Sequence, residues 1–264
     1  MIIDSHAHVM LPTEKQLLMM EEAGVDKTIL FTTSIHPEKA EDLKALEKEI
    51  SILNNVLAGA LPVEERIKSL KKSTKELKQA VASNPSKFIG FGMVPLTLNY
   101  EDSGIWIEEN IVKNDFLGMG EFSPASGHVK DLEVIFQASK EFGNLPIWIH
   151  TFHPLTLQDI KEIVELAKKY YKVPVILGHM GGINWIETIK LAKESSNIYL
   201  DLSAAYTTMA PSIAIKEIPS RVLFSSDAPF GNPKLGIEMV KAVTKDRRSL
   251  KRVLGENVLE ILER

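Results

Sequence analysis

Residues 146–178 read PIWIHTFHPLTLQDIKEIVELAKKYYKVPVILG and predict a strand, a helix and a second, parallel strand. The runs Pro146–His150 and Pro174–Gly178 are short, apolar and rich in β-branched residues. Between them, Leu155–Tyr171 carries apolar residues at three- and four-residue spacings, the pattern of an amphipathic helix. Such alternation favours a parallel sheet covered by helices.

The same alternation extends through the whole chain of 264 residues. The short apolar runs are Ile2–Ser5, Lys27–Thr32, Phe88–Val94, Gly118–Glu121, Pro146–His150, Pro174–Gly178, Ile198–Asp201 and Val222–Ser225. Amphipathic stretches between them include Pro37–Asn54, Glu64–Ser83, Asp131–Phe142, Leu155–Tyr171 and Trp185–Ser195. Eight strands with helical connections predict a closed (β/α)8 barrel, the TIM barrel of the α/β class. A doubly wound open sheet has the same alternation and differs only in strand order, so periodicity leaves that alternative open.

No low-complexity linker, repeat or charge block marks a second domain, and we predict one domain over residues 1–264. A helical insertion follows the second strand, at about residues 38–86, and reads as two Lys/Glu-rich helices. We interpret its charges as solvated helix faces rather than as a binding surface.

The composition restricts the function further. The net charge of −4, with acidic and basic residues interspersed, gives no electrostatic footprint for nucleic acid. With no cysteine, the chain has no disulfide framework, and any metal must be held by histidines and carboxylates. No run of ~18 apolar residues and no basic, apolar leader is present, so we expect a cytoplasmic protein without a membrane segment. A homodimer is expected only because symmetric dimers are common.

Polar side chains stand where predicted strands end. His6 and His8 close the first run, and their i, i+2 spacing in extended chain points both imidazoles to one side. His150, His179 and Asp227 follow the fifth, sixth and eighth runs. Each alone could be a satisfied polar group at a strand end. Together, at the barrel face that carries catalytic groups, they predict a site for a divalent metal such as Zn²⁺.

These motifs give the chain a family resemblance over nearly its whole length. They are His6-Ala7-His8, His150, Gly178–Gly182 (GHMGG), Ser225–Gly231 (SSDAPFG) and Val253–Leu259 (VLGENVL). Together they resemble the amidohydrolase superfamily, within it the amidohydrolase-related branch, and in part TatD-type and dihydroorotase-like members. That branch also contains metal-dependent decarboxylases and lactonases.

The resemblance implies a metal held by His6, His8, His150 and Asp227, with His179 either a further ligand or a catalytic group. Water on such a metal ionises near neutral pH, and Asp227 would orient it and accept its proton. The expected activity is hydrolysis of a small amide, ester or lactone. The alternative is nonoxidative decarboxylation of an aromatic or enol acid. Zn²⁺ is the expected ion, although such ligands also accept Mn²⁺ and Fe²⁺.

The fourth strand departs from the pattern of binuclear relatives. It reads LGMGE over residues 117–121 and lacks the lysine that is carboxylated in many of them. Glu121 is therefore either a carboxylate bridging two metals, as in TatD-type nucleases, or the hydrogen-bond acceptor of a ligand histidine. The metal count stays at one or two, and two would favour a third reading, phosphodiester hydrolysis.

Three other histidines lie just beyond strand ends and are predicted substrate contacts or exposed loop residues: His36, His128 and His153. Arginine is the usual partner of a substrate carboxylate because its planar fork accepts both oxygens. Arg66 falls in a predicted outer helix, and no other arginine obviously follows a strand. This distribution disfavours a dicarboxylate substrate.

Overall fold

Eight parallel strands run side by side in chain order in the computed structural model, which describes residues 1–263. Each strand pairs with its neighbour in sequence. The strands are β1 Ile3–His8, β2 Lys27–Phe31, β3 Phe88–Gly92, β4 Gly118–Phe122, β5 Ile147–His150, β6 Val175–Gly178, β7 Ile198–Asp201 and β8 Val222–Leu223.

The first strand meets the chain that follows the last one. The Ser5 N–H donates to the Phe224 carbonyl at 3.0 Å, and the Asp227 N–H donates to the His6 carbonyl at 2.8 Å. A third bond joins the His8 N–H to the Ala228 carbonyl at 2.7 Å. We call this junction the seam. Sequential strand order with the first and last edges joined is a TIM barrel and excludes the doubly wound sheet, whose order reverses.

Helices connect the successive strands and also follow the last one, and the helical connections predicted from periodicity are confirmed. They are α1 Thr13–Ala23, α2 Leu43–Leu57, α3 Val63–Ser83, α4 Tyr100–Asn110, α5 Glu133–Glu141, α6 Leu157–Lys169, α7 Trp185–Lys193, α8 Met209–Glu217, α9 Pro233–Val243, α10 Arg247–Lys251 and α11 Asn257–Leu262. The start of α2 is later than predicted, because Asp42 caps it by accepting from the Ala45 N–H at 2.7 Å. In the part of the chain that the structure describes, no helix is both long and apolar enough to cross a membrane.

The barrel interior is filled by a compact apolar cluster to which strands from all round the sheet contribute. Its largest fully buried side chains are those of Phe31, Phe91 and Trp148. Their rings contact one another at centroid distances of 5.3–6.0 Å. A larger cluster packs the outer sheet face against the helices. Burying such side chains stabilises the fold by roughly 1.5–3 kcal/mol each.

The insertion after β2 consists of the two predicted helices, α2 and α3. Lys44, Glu47 and Lys48 of α2 are exposed, as the interpretation of solvated faces requires. The opposite side of the insertion is mostly apolar and faces the barrel mouth. Leu53 and Leu57 of α2 line a cavity above the carboxyl ends of the strands. The insertion therefore forms a cover over the barrel mouth as well as a solvated surface.

Candidate metal centre and substrate cavity

The strand ends bring the predicted ligands together at the barrel mouth. His6 and His8 extend from β1, Glu121 from β4, and Asp227 from the loop after β8. Asp227 Oδ1 lies 3.2 Å from His8 Nε2 and 3.8 Å from His6 Nε2. Glu121 Oε2 lies 3.3 Å from His6 Nε2 and 3.7 Å from His8 Nε2. Both imidazoles of the i, i+2 pair therefore face the same two carboxylates, as their spacing predicts.

Two compact groups of potential ligand atoms share His6. One consists of His6, Glu121 and His179, and the other of His6, His8 and Asp227, with the ligand atoms of each group within 4.8 Å of one another. His150 belongs to neither group. Its Nδ1 lies 3.2 Å from Glu121 Oε1, and its Nε2 lies 3.0 Å from the His153 carbonyl. Glu121 thus lies among the ligand atoms, whereas His150 lies beside it.

The residues fit a divalent metal. His6 is completely buried, and its Nε2 makes no hydrogen bond, although Glu121 Oε2 is 3.3 Å away. A buried polar nitrogen without a partner costs about 1–3 kcal/mol, and a cation among these groups would remove that cost. Imidazole nitrogens together with carboxylate oxygens form a donor set that Zn²⁺, Mn²⁺ and Fe²⁺ accept.

The charges of the cluster support this assignment. Burial raises the pKa of Glu121, but His6, His150 and His179 outweigh burial and hold its pKa well below the ordinary value. Burial lowers the pKa of His6, but the carboxylates of Glu121 and Asp201 raise it well above the ordinary value. The carboxylates thus favour a cation between them, and a metal ion competes with protons for the imidazole nitrogens of the cluster. Metal binding should therefore release protons.

Asp201 is a site residue that was not singled out from the sequence. It ends β7, and its Oδ2 lies 2.6 Å from His6 Nδ1. Trp148 Nε1–H donates to the same oxygen at 3.1 Å, and the Ser203 N–H donates to Oδ1 at 2.6 Å. Burial opposes ionisation of Asp201, but the charge and hydrogen bond of His6, with smaller contributions from His179 and Ser203, lower its pKa, so it is a carboxylate. It holds the proton of His6 on Nδ1 and leaves the Nε2 lone pair for the metal.

Replacing Asp201 with asparagine should weaken metal affinity by about 10–100-fold, because the amide orients His6 without raising its basicity. The measurement is a competition titration of Mn²⁺ or Zn²⁺ against a chelator of known affinity. Asp159→Asn is the matched control, since Asp159 is a buried carboxylate that caps α6 and accepts from the Gly127 N–H at 2.8 Å, away from the metal ligands. Equal affinities in the two variants would contradict the role of Asp201.

A cavity of about 430 Å³ opens onto the ligand cluster. Strand-end residues form its floor, namely His8, Glu121, His150, His179 and Asp227. The helices α2 and α3 form one wall with Leu53, Val56, Leu57, Ile67 and Leu70. The loop after β3 adds Met93, Val94, Pro95 and Leu96. A mostly apolar cavity of this size, with polar groups concentrated at one place, is typical of a small-molecule site.

The three histidines predicted to contact substrate have different positions. His153 lines the cavity. His36 lies outside it, with Nδ1 3.0 Å from Glu38 Oε1 and Nε2 3.5 Å from Glu76 Oε2. His128 is also outside, with its side chain 67% exposed. Because neither of these two side chains lines the cavity, we do not propose them as substrate contacts.

Comparison with known proteins agrees with the fold. A family model described as Amidohydrolase matches residues 3–264. Among solved structures, 2,6-dihydroxybenzoate decarboxylase from Rhizobium superposes with a TM-score of 0.69 at 16% identity, covering 99% of this chain and 98% of that one. A 5-carboxyvanillate decarboxylase from Sphingomonas paucimobilis superposes with a TM-score of 0.70 at 14% identity, and the alignment covers 99% of this chain and 98% of that one.

A dihydroxybenzoic acid decarboxylase from Polaromonas sp. JS666, with manganese and the inhibitor 2-nitroresorcinol bound, superposes with a TM-score of 0.72. It is 16% identical, and the alignment covers 99% of this chain and 96% of that one. No curated protein matches this chain. At such identities the likeness to the solved structures establishes the barrel and nothing finer.

Proposed function

This chain belongs to the amidohydrolase family, and from that premise we propose that it is a metal-dependent decarboxylase of a small aromatic or enol acid. The observation that carries the proposal is the apolar wall that faces the ligand cluster across the cavity. Leu53, Val56 and Leu57 of α2 contribute to it, beside Ile67 and Leu70 of α3. Such a wall suits the face of an aromatic ring or of an enol.

An apolar cavity also favours the chemistry. Decarboxylation converts a localised carboxylate charge into neutral CO2 and a charge spread over the ring or enol. Removing water from the carboxylate destabilises it more than it destabilises the dispersed charge of the transition state. The named structural neighbours support the proposal too, since each is a decarboxylase of an aromatic acid.

The ligand cluster would hold one divalent ion, and its members are His6, His8, Glu121, His179 and Asp227. The ion supplies positive charge that stabilises negative charge developing on a substrate oxygen. Manganese is present in one structural neighbour. We therefore propose Mn²⁺ or Zn²⁺ rather than zinc alone.

Asp227 is the proton carrier in this proposal. It lines the cavity, and its side chain is 13% exposed, so substrate can reach it. The Asp227 carboxylate takes up a proton from solvent and gives it to the carbon that bears the substrate carboxylate, using a π electron pair of the ring or enol. The bond to the carboxylate carbon then breaks, its electron pair restores the π system, and CO2 leaves. Loss of CO2 leaves Asp227 as the carboxylate with which the cycle began.

Hydrolysis of an amide, ester or lactone, which the sequence favours, would use the same ligands and is the competing proposal. One experiment separates the two. The protein, loaded with Mn²⁺ or Zn²⁺, is incubated in D2O with a panel of hydroxybenzoic acids and, separately, with lactones and aryl esters. We expect CO2 release, with one deuterium on the carbon that bore the carboxylate. Cleavage of lactones or esters without CO2 release would reject decarboxylation.

A further inference from the structure

Arg66 differs from the other residues that line the cavity. It belongs to the first turn of α3, is half-buried, and is the only lysine or arginine among the described lining residues. Within residues 1–263 its guanidinium has no carboxylate within 4.0 Å and donates no hydrogen bond. The sequence placed this arginine on an outer helix, and the structure instead turns it toward the barrel mouth.

Other partly buried arginines of this chain have partners. Arg221 donates to the carbonyls of Ala192 and Ser195 at 2.5 and 2.6 Å. Arg252 pairs with Glu260 at 2.9 Å. A guanidinium stays charged at all ordinary pH values, and partial removal from water is unfavourable unless an anion or acceptors replace the lost hydration. Arg66 is therefore a cation placed at a cavity wall with its donors free.

The surroundings of Arg66 suit an anion with two oxygens. Asn54 of α2 and Ser69 of α3 also line the cavity on this side, and neither side chain has a hydrogen bond within the described residues. The remaining wall is apolar, so a ring can lie between the insertion and the ligand cluster on the strand ends. An arginine fork binds a carboxylate through two parallel hydrogen bonds, which fixes its orientation as well as its charge.

We propose that Arg66 binds a carboxylate that the substrate retains, so that the substrate is a ring or enol compound with two acidic groups. The proposal rests on the proposed function in one respect, because it takes the other carboxylate to be lost as CO2 at the ligand cluster. The retained carboxylate stays on the product and is held from the insertion by Arg66. A dicarboxylate, which the distribution of arginines in the sequence disfavours, is thus the substrate class that the cavity favours.

Binding is measured by calorimetry on the metal-loaded protein with two probes, benzene-1,3-dicarboxylate and benzoate. The wild type should bind the diacid about 10–100-fold more tightly. Arg66→Gln should bring the ratio of the two affinities close to unity. Arg66→Lys should give an intermediate ratio, because an ammonium is a point charge that cannot form the parallel pair.

Lys68→Gln is the matched control, because Lys68 lies on the same helix, is exposed and does not line the cavity. It removes the same charge and should leave the ratio unchanged. A wild type without preference for the diacid, or an Arg66→Gln variant with the wild-type ratio, would overturn the assignment. If Arg66→Gln does not fold, Arg66→Lys with a wild-type ratio overturns it as well.

The readout does not depend on turnover. A diacid preference that disappears in Arg66→Gln, in a protein that releases no CO2 from hydroxybenzoic acids or from hydroxybenzene-1,3-dicarboxylic acids, supports the anion site and rejects the decarboxylase. If the protein releases CO2 from monoacids but shows no diacid preference, the anion site is rejected and the decarboxylase proposal is retained.

Discussion

Replacing Asp227 with asparagine should lower the rate of CO2 release by about 10²–10⁴-fold, the usual contribution of a positioned proton donor. An amide cannot donate the proton that must take the place of the departing carboxylate. The backbone should tolerate the change, because Asp227 has φ of 57° and asparagine adopts this left-handed region more readily than most residues. The measurement is kcat with the acid that wild type turns over, together with metal content.

Asp115→Asn is the matched control for this variant. Asp115 also has a left-handed φ, of 55°, but it is exposed in the turn before β4 and takes no part in the ligand cluster. It should keep wild-type kcat. Asp227→Asn with at least half the wild-type rate would exclude Asp227 as the proton carrier. Loss of the metal in the same variant would show that Asp227 acts first as a ligand.

The double substitution His6→Ala/His8→Ala should abolish metal binding. His6 is shared by both ligand groups and His8 completes one of them, so neither group survives. We expect about one divalent ion per wild-type chain purified without chelator, and ~0.1 or less in the variant, by elemental analysis. Saturating metal should raise the melting temperature of the metal-stripped wild type on the order of 10 °C and leave the variant unchanged.

His128→Ala is the control, because this exposed histidine lies outside the cavity and should leave the metal content unchanged. Two ions per wild-type chain would give Glu121 a bridging role and revive the phosphodiesterase reading. A wild type without stoichiometric metal, or a double variant that retains it, would contradict the site.

The fold could be read from the sequence because each unit of strand, helix and strand is a local pattern. Residues 146–178 predict β5, α6 and β6 within a few positions of their observed bounds. The order of the strands could not be read in this way. It depends on pairs such as Ser5 with Phe224, which are distant in sequence and leave no periodic signal.

The candidate site was likewise predictable only in part from local sequence patterns. His6, His8 and Asp227 were predictable because they follow apolar runs at the barrel face that carries function. Asp201 ends β7 in the same way, so an inspection of the polar residue at every strand end would have found it. Arg66 could not have been placed, because periodicity defines the faces of a helix without saying which face turns toward the barrel. That orientation is set by tertiary packing of the insertion.

The seam has a consequence for biosynthesis. Asp4 accepts hydrogen bonds from the Ser226 N–H and hydroxyl at 2.8 and 2.5 Å, across 222 positions of sequence. A chain still on the ribosome exposes His6 and His8 early but has no Asp227 to complete their group. Until β8 emerges, the free edge of β1 is also open to pairing with other nascent chains. The group of His6, His8 and Asp227 can therefore assemble only after β8 has emerged, and we expect chains interrupted before that strand to be prone to aggregation.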